Sequence, residues 1–444
     1  MAAIDVTIQK LVYGGEGLAH NEGATVFVPL VLPGETVRAT PIEQKKKFVR
    51  AELAQVLVAS PERIAPECKH FGDCGGCDYQ HIPYEKQLTF KQEILRETLR
   101  RIGRVDWTGP ITLHASKPYH YRNRAQWKVR PVEANDNGNE ANSAGASDKS
   151  VDGKAALRIG YFRARSTTLC AVTECPIVSP LLEKTLKSLR EALAAARLPR
   201  GLREIEAVVD DTDTKLLITA SFSGFPQRAA EFAAMLREIL PEMISLLFHN
   251  PGTERMELFG PGFLEYTANG TSYRLGHFSF FQVNKELVDE MAREVVDKDA
   301  KGRLAFDLFS GVGLFSVPLS QQFDKVIAVE SNPAATRDLE SGFRGAKSIE
   351  VRNVEVSRFV QKNKQRPDFV VLDPPRAGLE PGDADRIARL QSQQINYVSC
   401  DPPTLARDLA AFQQSGYEIT DVHLFDLFPQ TFHIETLVRL RRKT

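Results

Sequence analysis

Residues 304–320, L-A-F-D-L-F-S-G-V-G-L-F-S-V-P-L-S, join an apolar run to a glycine turn and a second apolar run. The order reads as a strand ending at Asp307, a turn at Gly311 and Gly313, and a helix opening on S-V-P-L. Glycines at such a turn let the backbone come close to a ligand. The dinucleotide fingerprint G-x-G-x-x-G is absent, because Ser316 stands where its third glycine would be. Downstream the rhythm repeats in K-V-I-A-V-E (325–330), F-V-V-L-D (369–373) and N-Y-V-S-C (396–400), separated by helical or loop segments. From about residue 280 this alternation predicts a parallel sheet with helices on both faces. Two tail segments, E-I-T-D-V-H-L-F-D and H-I-E-T-L-V-R-L, predict antiparallel strands closing one edge.

Open parallel sheets bind ligands at the carboxyl ends of their strands. Glu330 ends its strand where a carboxylate reaches both hydroxyls of a ribose, and Asp373 puts a second carboxylate on the same rim. Together with the glycine turn they favour S-adenosylmethionine, whose ribose and amino group both seek carboxylates. In amino-group methyltransferases an aromatic residue commonly follows D-P-P; here Arg376 does, which argues for a different target atom. Cys400 closes the last parallel strand, and the prolines after it leave the thiol at the rim instead of in the core. Glu435 follows 35 residues downstream in F-P-Q-T-F-H-I-E-T. A thiol and a carboxylate there suit covalent attack followed by proton removal. His433 is a candidate to position the target, or a structural histidine.

The segment C-K-H-F-G-D-C-G-G-C gathers Cys68, Cys74 and Cys77 around two glycines. In a reducing compartment cysteines at this density ligate a metal. A fourth ligand is expected at Cys175, because the proline after it recurs at iron–sulfur ligands, while Cys170 in its apolar run is expected in the core. Spacing alone leaves a [4Fe–4S] cluster and tetrahedral zinc both open.

Lys plus Arg equal Asp plus Glu, 57 of each, so a polyanionic partner must be held by a local basic patch. Such a patch is expected between residues 91 and 130, with Tyr119, Tyr121 and Trp127 interleaved among Lys91, Arg96, Arg124, Lys128 and their basic neighbours. Tyr161, Phe162, Arg163 and Arg165 repeat the mixture, and cations beside flat rings suit RNA. No apolar run approaches a membrane span and no signal-peptide pattern opens the chain, so a cytoplasmic location is expected, with no obligate protein partner evident. Residues 1–60 alternate β-rich runs with turns, as a small closed barrel would. Residues 86–103 place Leu88, Ile94, Leu95, Leu99 and Ile102 on a helical stripe. Residues 133–154 lack large apolar side chains and are expected to be a disordered loop.

With these residues in view, the chain resembles the RNA uracil-5-methyltransferases that carry an N-terminal TRAM domain. In module content it is nearest to the iron–sulfur 23S ribosomal RNA enzymes. The resemblance rests on G-E-G-L-A-H, V-F-V-P and L-P-G-E, on C-x5-C-G-G-C, F-S-F-F-Q-V-N and D-L-F-S-G-V-G-L-F, and on L-D-P-P-R-A-G, Y-V-S-C-D-P-P-T-L-A-R-D and F-P-x-T-x-H-x-E. It spans nearly the full length apart from 133–154. It implies a multidomain α/β protein: a TRAM-like, OB-like barrel over 1–60, a central β-rich iron–sulfur and RNA-recognition domain over 61–85 and 119–279, and a Rossmann-like methyltransferase domain over 86–118 and 280–444. It implies S-adenosylmethionine contacts at Gln282, Phe309, Glu330, Asn353 and Asp373, and a [4Fe–4S] cluster on Cys68, Cys74, Cys77 and Cys175. Cys400 is implied as nucleophile and Glu435 as proton acceptor, acting on a uridine of 23S ribosomal RNA. The alternatives are a transfer-RNA T-loop enzyme, an RNA cytosine-5-methyltransferase and a non-catalytic RNA-binding protein.

Overall fold

The structure, a computed structural model, describes residues 2–131, 157–343 and 348–443; the segment expected as a disordered loop lies outside them. The described chain divides into two compact units, one of residues 1–67, 77–118 and 279–444, the other of 68–76 and 119–278.

The first unit is built on an eight-stranded sheet. Across it run Ile349–Asn353, Phe323–Glu330, Gly302–Leu308, Phe369–Leu372, Gln394–Ser399, Glu435–Arg442, Tyr417–Phe425 and Ile111–His114. All are parallel except Glu435–Arg442, which is antiparallel to both neighbours. The four residues of Phe369–Leu372 are all buried, as a strand covered on both faces requires. The two tail strands do pair antiparallel, but they do not close the edge: Ile111–His114 adds a further strand beyond them. The helix Tyr84–Gly103 lies against the helix Pro402–Gln414 so closely that a Cβ on Gly103 would sit 2.4 Å from the Ala406 carbonyl. Of the expected stripe, Leu88, Ile94, Leu95 and Leu99 are buried; Ile102 is exposed at the helix end.

In the same unit, Ile4–Thr7, Lys10–Val12, Glu16–Asn21, Ala24–Pro29, Thr36–Gln44 and Phe48–Val58 form a six-stranded sheet. Ile8 donates to the Glu35 carbonyl and Gln9 to that of Leu18, so the chain crosses from one edge to the other and curls the sheet around Val6, Val26, Val28 and Val37. Glu35 of L-P-G-E is fully buried. It accepts from the Arg63 guanidinium at 2.6 and 2.7 Å and from the backbone of Leu32 and Ser60. Burial opposes the Glu35 charge, but these donors hold its pKa below the ordinary carboxylate value. Leu11 of this sheet and Leu32, in the loop before Thr36–Gln44, pack into the apolar cluster of the eight-stranded sheet, alongside Tyr79, Ile82 and Leu405.

The second unit carries a seven-stranded sheet ordered Leu169–Ala171, Leu157–Phe162, Arg124–Pro131, Leu202–Val209, Leu216–Phe222, Met243–Asn250 and Arg255–Phe259. Only the Leu216–Phe222 and Met243–Asn250 pairing is parallel. The helices Pro180–Ala194 and Ala229–Ile239 bury Leu182, Leu186, Leu189, Phe232 and Leu236. Among the described residues, no helix is long and apolar enough to cross a membrane.

Candidate active site

Four parallel strands of the first unit end on one rim, and Asp307, Glu330, Asp373 and Cys400 sit at or just past their ends. Asp307 is fully buried, with Oδ2 accepting from Ser316 at 2.5 Å and Oδ1 left without a partner. Phe309 follows with φ of 67°, and the backbone of Phe309 and Ser310 donates to the Val329 carbonyl, tying the glycine turn to the neighbouring strand. Gly313 has φ of 92°, and a Cβ there would meet Leu339 at 2.4 Å. The turn is therefore shaped by close packing as much as by conformation. Glu330 accepts from the backbone N–H of Gly311 at 3.0 Å and of Asn332 at 2.7 Å. Asn353 is exposed, and its amide donates to the carbonyls of Glu330 and Ser331. Gln282 is buried.

Burial pushes the Asp307 carboxyl up to about 7, with the Glu330 charge adding to it and Ser316 opposing it. Burial likewise pushes Asp373 up to about 7, helped by Asp307 and Glu330. Three carboxylates, Asp307, Glu330 and Asp373, thus crowd one rim. The unpartnered Asp307 Oδ1 and the buried, unpartnered Ser310 Oγ add open hydrogen-bonding positions. A ligand that carries a cation and several donors fits this set, and S-adenosylmethionine is such a ligand. Asp307 was recognised in the sequence only as a strand end; the signal for its role was its place just ahead of the glycine turn.

Cys400 and Glu435 are brought together by strand register. Ser399 pairs with Thr436 across the antiparallel ladder, so the residue after Ser399 and the residue before Thr436 are neighbours. Burial, first, and then the Glu435 and Asp373 charges push the Cys400 thiol up to about 12, against the pull of Arg376. Glu435 is buried and raised well above the ordinary carboxylate value by its burial and by Asp373, with Arg376 again opposing. Arg376, the cation that acts on both Cys400 and Glu435, has Nη2 3.2 Å from both ring nitrogens of His433.

The loop leading into Glu435 is fixed from beneath. Lys91, fully buried, donates to Asp426 at 2.6 Å and to the Phe428 carbonyl at 3.0 Å. Gln87 exchanges hydrogen bonds with Gln430 through side chain and backbone, and Asn284 donates to the Asp426 and Leu427 carbonyls. Lys91, expected among the RNA-facing cations, instead holds this loop. Tyr121 and Trp127 are fully buried and cannot stack on bases. Arg124 and Lys128 are paired with Glu206 and Glu204. Only the exposed members of the expected patch remain available to RNA. The signal missed here was alternation: in the strand Arg124–Pro131, Ala125, Trp127 and Val129 are buried while the residues between them are not.

In the second unit burial, first, and then Cys74 and Cys68 push the Cys175 thiol up to about 12, against the hydrogen bond from Tyr161 at 3.7 Å. Cys170 is buried in its strand as expected, but its sulfur is hydrogen-bonded to that of Cys74. Cys77 belongs to the other unit. Thiols this close suit a cation that would ionise them. Even so, among the described residues no group of three or more His, Cys, Asp or Glu side chains is arranged to hold a metal ion. No chemical step is derived through a metal at these cysteines.

Comparison with known proteins bears on both units. Residues 346–443 match the family model for tRNA (Uracil-5-)-methyltransferase, and residues 2–54 match the TRAM domain. A protein of Aquifex aeolicus described as an uncharacterized RNA methyltransferase is 31% identical over 99% of both chains. The 23S rRNA (uracil(1939)-C(5))-methyltransferase RlmD of Klebsiella pneumoniae is 31% identical, covering 99% of this chain and 96% of its own. Among solved structures, the tRNA (uracil-54, C5)-methyltransferase of Pyrococcus abyssi superposes with a TM-score of 0.72 at 22% identity, over 98% of this chain and 100% of that one. That last likeness is one of fold.

Proposed function

We propose, from the premise that this chain belongs to the TRAM-containing RNA (uracil-5-)methyltransferases related to the RlmD-type enzymes, that its target is a uridine of 23S ribosomal RNA and that Cys400 and Glu435 carry the reaction through a covalent adduct. The enzyme methylates carbon 5 of uridine in RNA with S-adenosylmethionine as methyl donor. The cytosine-5 and non-catalytic alternatives give way to that membership.

The observation that carries the covalent reading is the register placing Cys400 beside Glu435 at the rim of the cofactor-binding strands. Carbon 5 of uracil is a weak nucleophile. When the Cys400 sulfur, having given up its proton to solvent, adds as the thiolate to carbon 6, the electrons of the 5,6 double bond move into the ring as an enolate, and carbon 5 becomes nucleophilic. S-adenosylmethionine supplies the electrophilic methyl group. Glu435 then takes the proton from carbon 5, the double bond re-forms, and the Cys400 thiolate leaves. Asp307, Ser310, Glu330 and Asp373 would hold the cofactor, with Phe309, Gln282 and Asn353 around it. The target base must leave its stack to reach the rim.

The ribosomal substrate is supported by the RlmD relatives, which match this chain along nearly its whole length, barrel included. Its test compares methyl incorporation into protein-free 23S RNA and into unmodified transfer RNA. Incorporation into transfer RNA alone would redirect the assignment and leave the reaction class intact. A [4Fe–4S] cluster on Cys68, Cys74, Cys77 and Cys175 is part of the same reading, with an ordering role only, since the chemistry moves no electron. The cysteine spacing and the neighbouring thiols support it. Anaerobic protein should contain about four iron atoms per chain, retained in Cys170→Ala and lost in Cys175→Ala; zinc without iron would reject it.

A further inference from the structure

The strands Lys10–Val12 and Glu16–Asn21 are joined by Tyr13-Gly14-Gly15, and this turn of the N-terminal barrel reaches the reacting residues. Gly14 and Gly15 have φ of 105° and 83°, which a two-glycine turn accommodates without strain. The Tyr13 hydroxyl donates to Asp401 Oδ2 at 3.1 Å and lies 3.4 Å from the Cys400 carbonyl. Its ring meets Phe432 edge-on, with centroids 5.5 Å apart and planes at 85°. Beside it, a Cβ on Gly15 would come within 3.2 Å of Asp78. Asp78 in turn donates its N–H to the Gln430 carbonyl and accepts from the Phe432 N–H at 3.2 Å. One three-residue turn therefore braces both the loop that carries Cys400 and the loop that leads into Glu435. Leu11 and Leu32, packed in the catalytic core, seat the barrel behind it.

We propose that Tyr13 is a positioning residue for methyl transfer, its hydroxyl fixing the Cys400–Asp401 peptide and satisfying the Asp401 carboxylate so that the thiol is held for attack on carbon 6. This rests on the covalent reading given above. Asp401 Oδ1 is already occupied by the Thr404 N–H at the start of the following helix, so Tyr13 meets the oxygen left over. The groups that face Cys400 are Glu435, Asp373 and Asp401, which disfavour the thiolate, and Arg376, which favours it; the Tyr13 hydroxyl faces Asp401 and the Cys400 carbonyl. Without that hydroxyl, the Asp401 charge acts on the thiol undamped.

The test uses the full-length protein carrying Tyr13→Phe, which keeps the ring against Phe432 and removes only the hydroxyl. Loss of a hydrogen bond to a charged group should lower kcat roughly tenfold. KM for RNA and for S-adenosylmethionine should stay within about twofold, since uniform binding is untouched. The alkaline rise of the rate with pH should move to higher pH, and the adduct with 5-fluorouridine RNA should form more slowly at saturating RNA. Rates are referred to cofactor-binding sites, so misfolded protein does not enter. Parent kcat with the parent pH profile, in an enzyme that Cys400→Ala inactivates, would overturn the proposal and leave the covalent reading standing. A raised KM for RNA at unchanged kcat would also overturn it, making Tyr13 an RNA contact. Turnover by Cys400→Ala would bring down both.

Discussion

The two ends of the catalytic rim solve opposite electrostatic problems. At the cofactor end, Glu330 is pinned by two backbone N–H groups, while Asp307 and Asp373 crowd it with charge that only a cation relieves. At the nucleophile end, Cys400 is biased toward its protonated form by burial and the Glu435 charge, and Glu435 by burial and the Asp373 charge, with Arg376 opposing both. The first end is ready for its ligand before it arrives. The second is poorly reactive until substrate changes its surroundings. An enzyme that must not attack stray electrophiles benefits from a thiol held at rest in this way.

If the two ends are separable, damage to one should leave the other working. The largest effect should come from Cys400→Ala: methyl transfer falls by more than about a thousandfold, while calorimetry finds S-adenosylmethionine affinity unchanged. Loss of cofactor binding there would break the separation. Glu435→Gln should lower turnover roughly a hundredfold or more and accumulate a protein–RNA adduct that survives denaturing electrophoresis; equal loss without adduct would assign the base elsewhere. Asp307→Asn acts on the other end and should weaken S-adenosylmethionine roughly tenfold to a hundredfold, the loss expected for a charged hydrogen bond.

The smallest effect, and the sharpest, is with pH. Asp307 and Asp373 stand at about 7, well above the ordinary value of 3.8. The folded state then binds protons more tightly than the unfolded one, so cofactor-free stability is greatest at acid pH and declines as pH rises through 7. Between pH 6 and 8 the decline should be about 1 kcal/mol per carboxyl. Affinity for the sulfonium should run the other way, rising as the carboxyls ionise. Thermal shifts should therefore show the free protein melting lower at pH 8 than at pH 6, with a larger gain on adding cofactor. Parallel trends would contradict the cofactor end as described.

Much of the sheet was legible because buried parallel strands write themselves as short apolar runs: L-A-F-D-L-F, K-V-I-A-V-E, F-V-V-L-D and N-Y-V-S-C all lie in it. Asp307, Glu330, Asp373 and Cys400 could be placed at strand ends because strand ends are local features. What was not legible depends on pairings across the chain. Lys91 looks like any basic helix residue until Asp426 closes over it. Ile111–His114 gives no hint that it extends the catalytic sheet beyond the tail strands. Trp127 reads as a stacking platform until its strand turns it inward. Nothing near Tyr13 announces a partner 388 residues away at Asp401. The barrel itself was readable, but its share in the catalytic core was not, because the apolar residues that line a barrel and those that dock it look alike.

With Cys400 and Glu435 acting as proposed, the antiparallel strand Glu435–Arg442 makes catalysis a gauge of folding fidelity. It is hydrogen-bonded on both sides, and Glu435 meets Cys400 only in the observed alignment of Ser399 with Thr436. A slip of one residue would turn Glu435 to the opposite face. The cofactor strands lie on the other side of Gln394–Ser399 and take no part in that alignment. A refolded sample can therefore bind cofactor in full and still methylate nothing. The ratio of active sites to cofactor sites counts the molecules in which these two strands have found their correct neighbours.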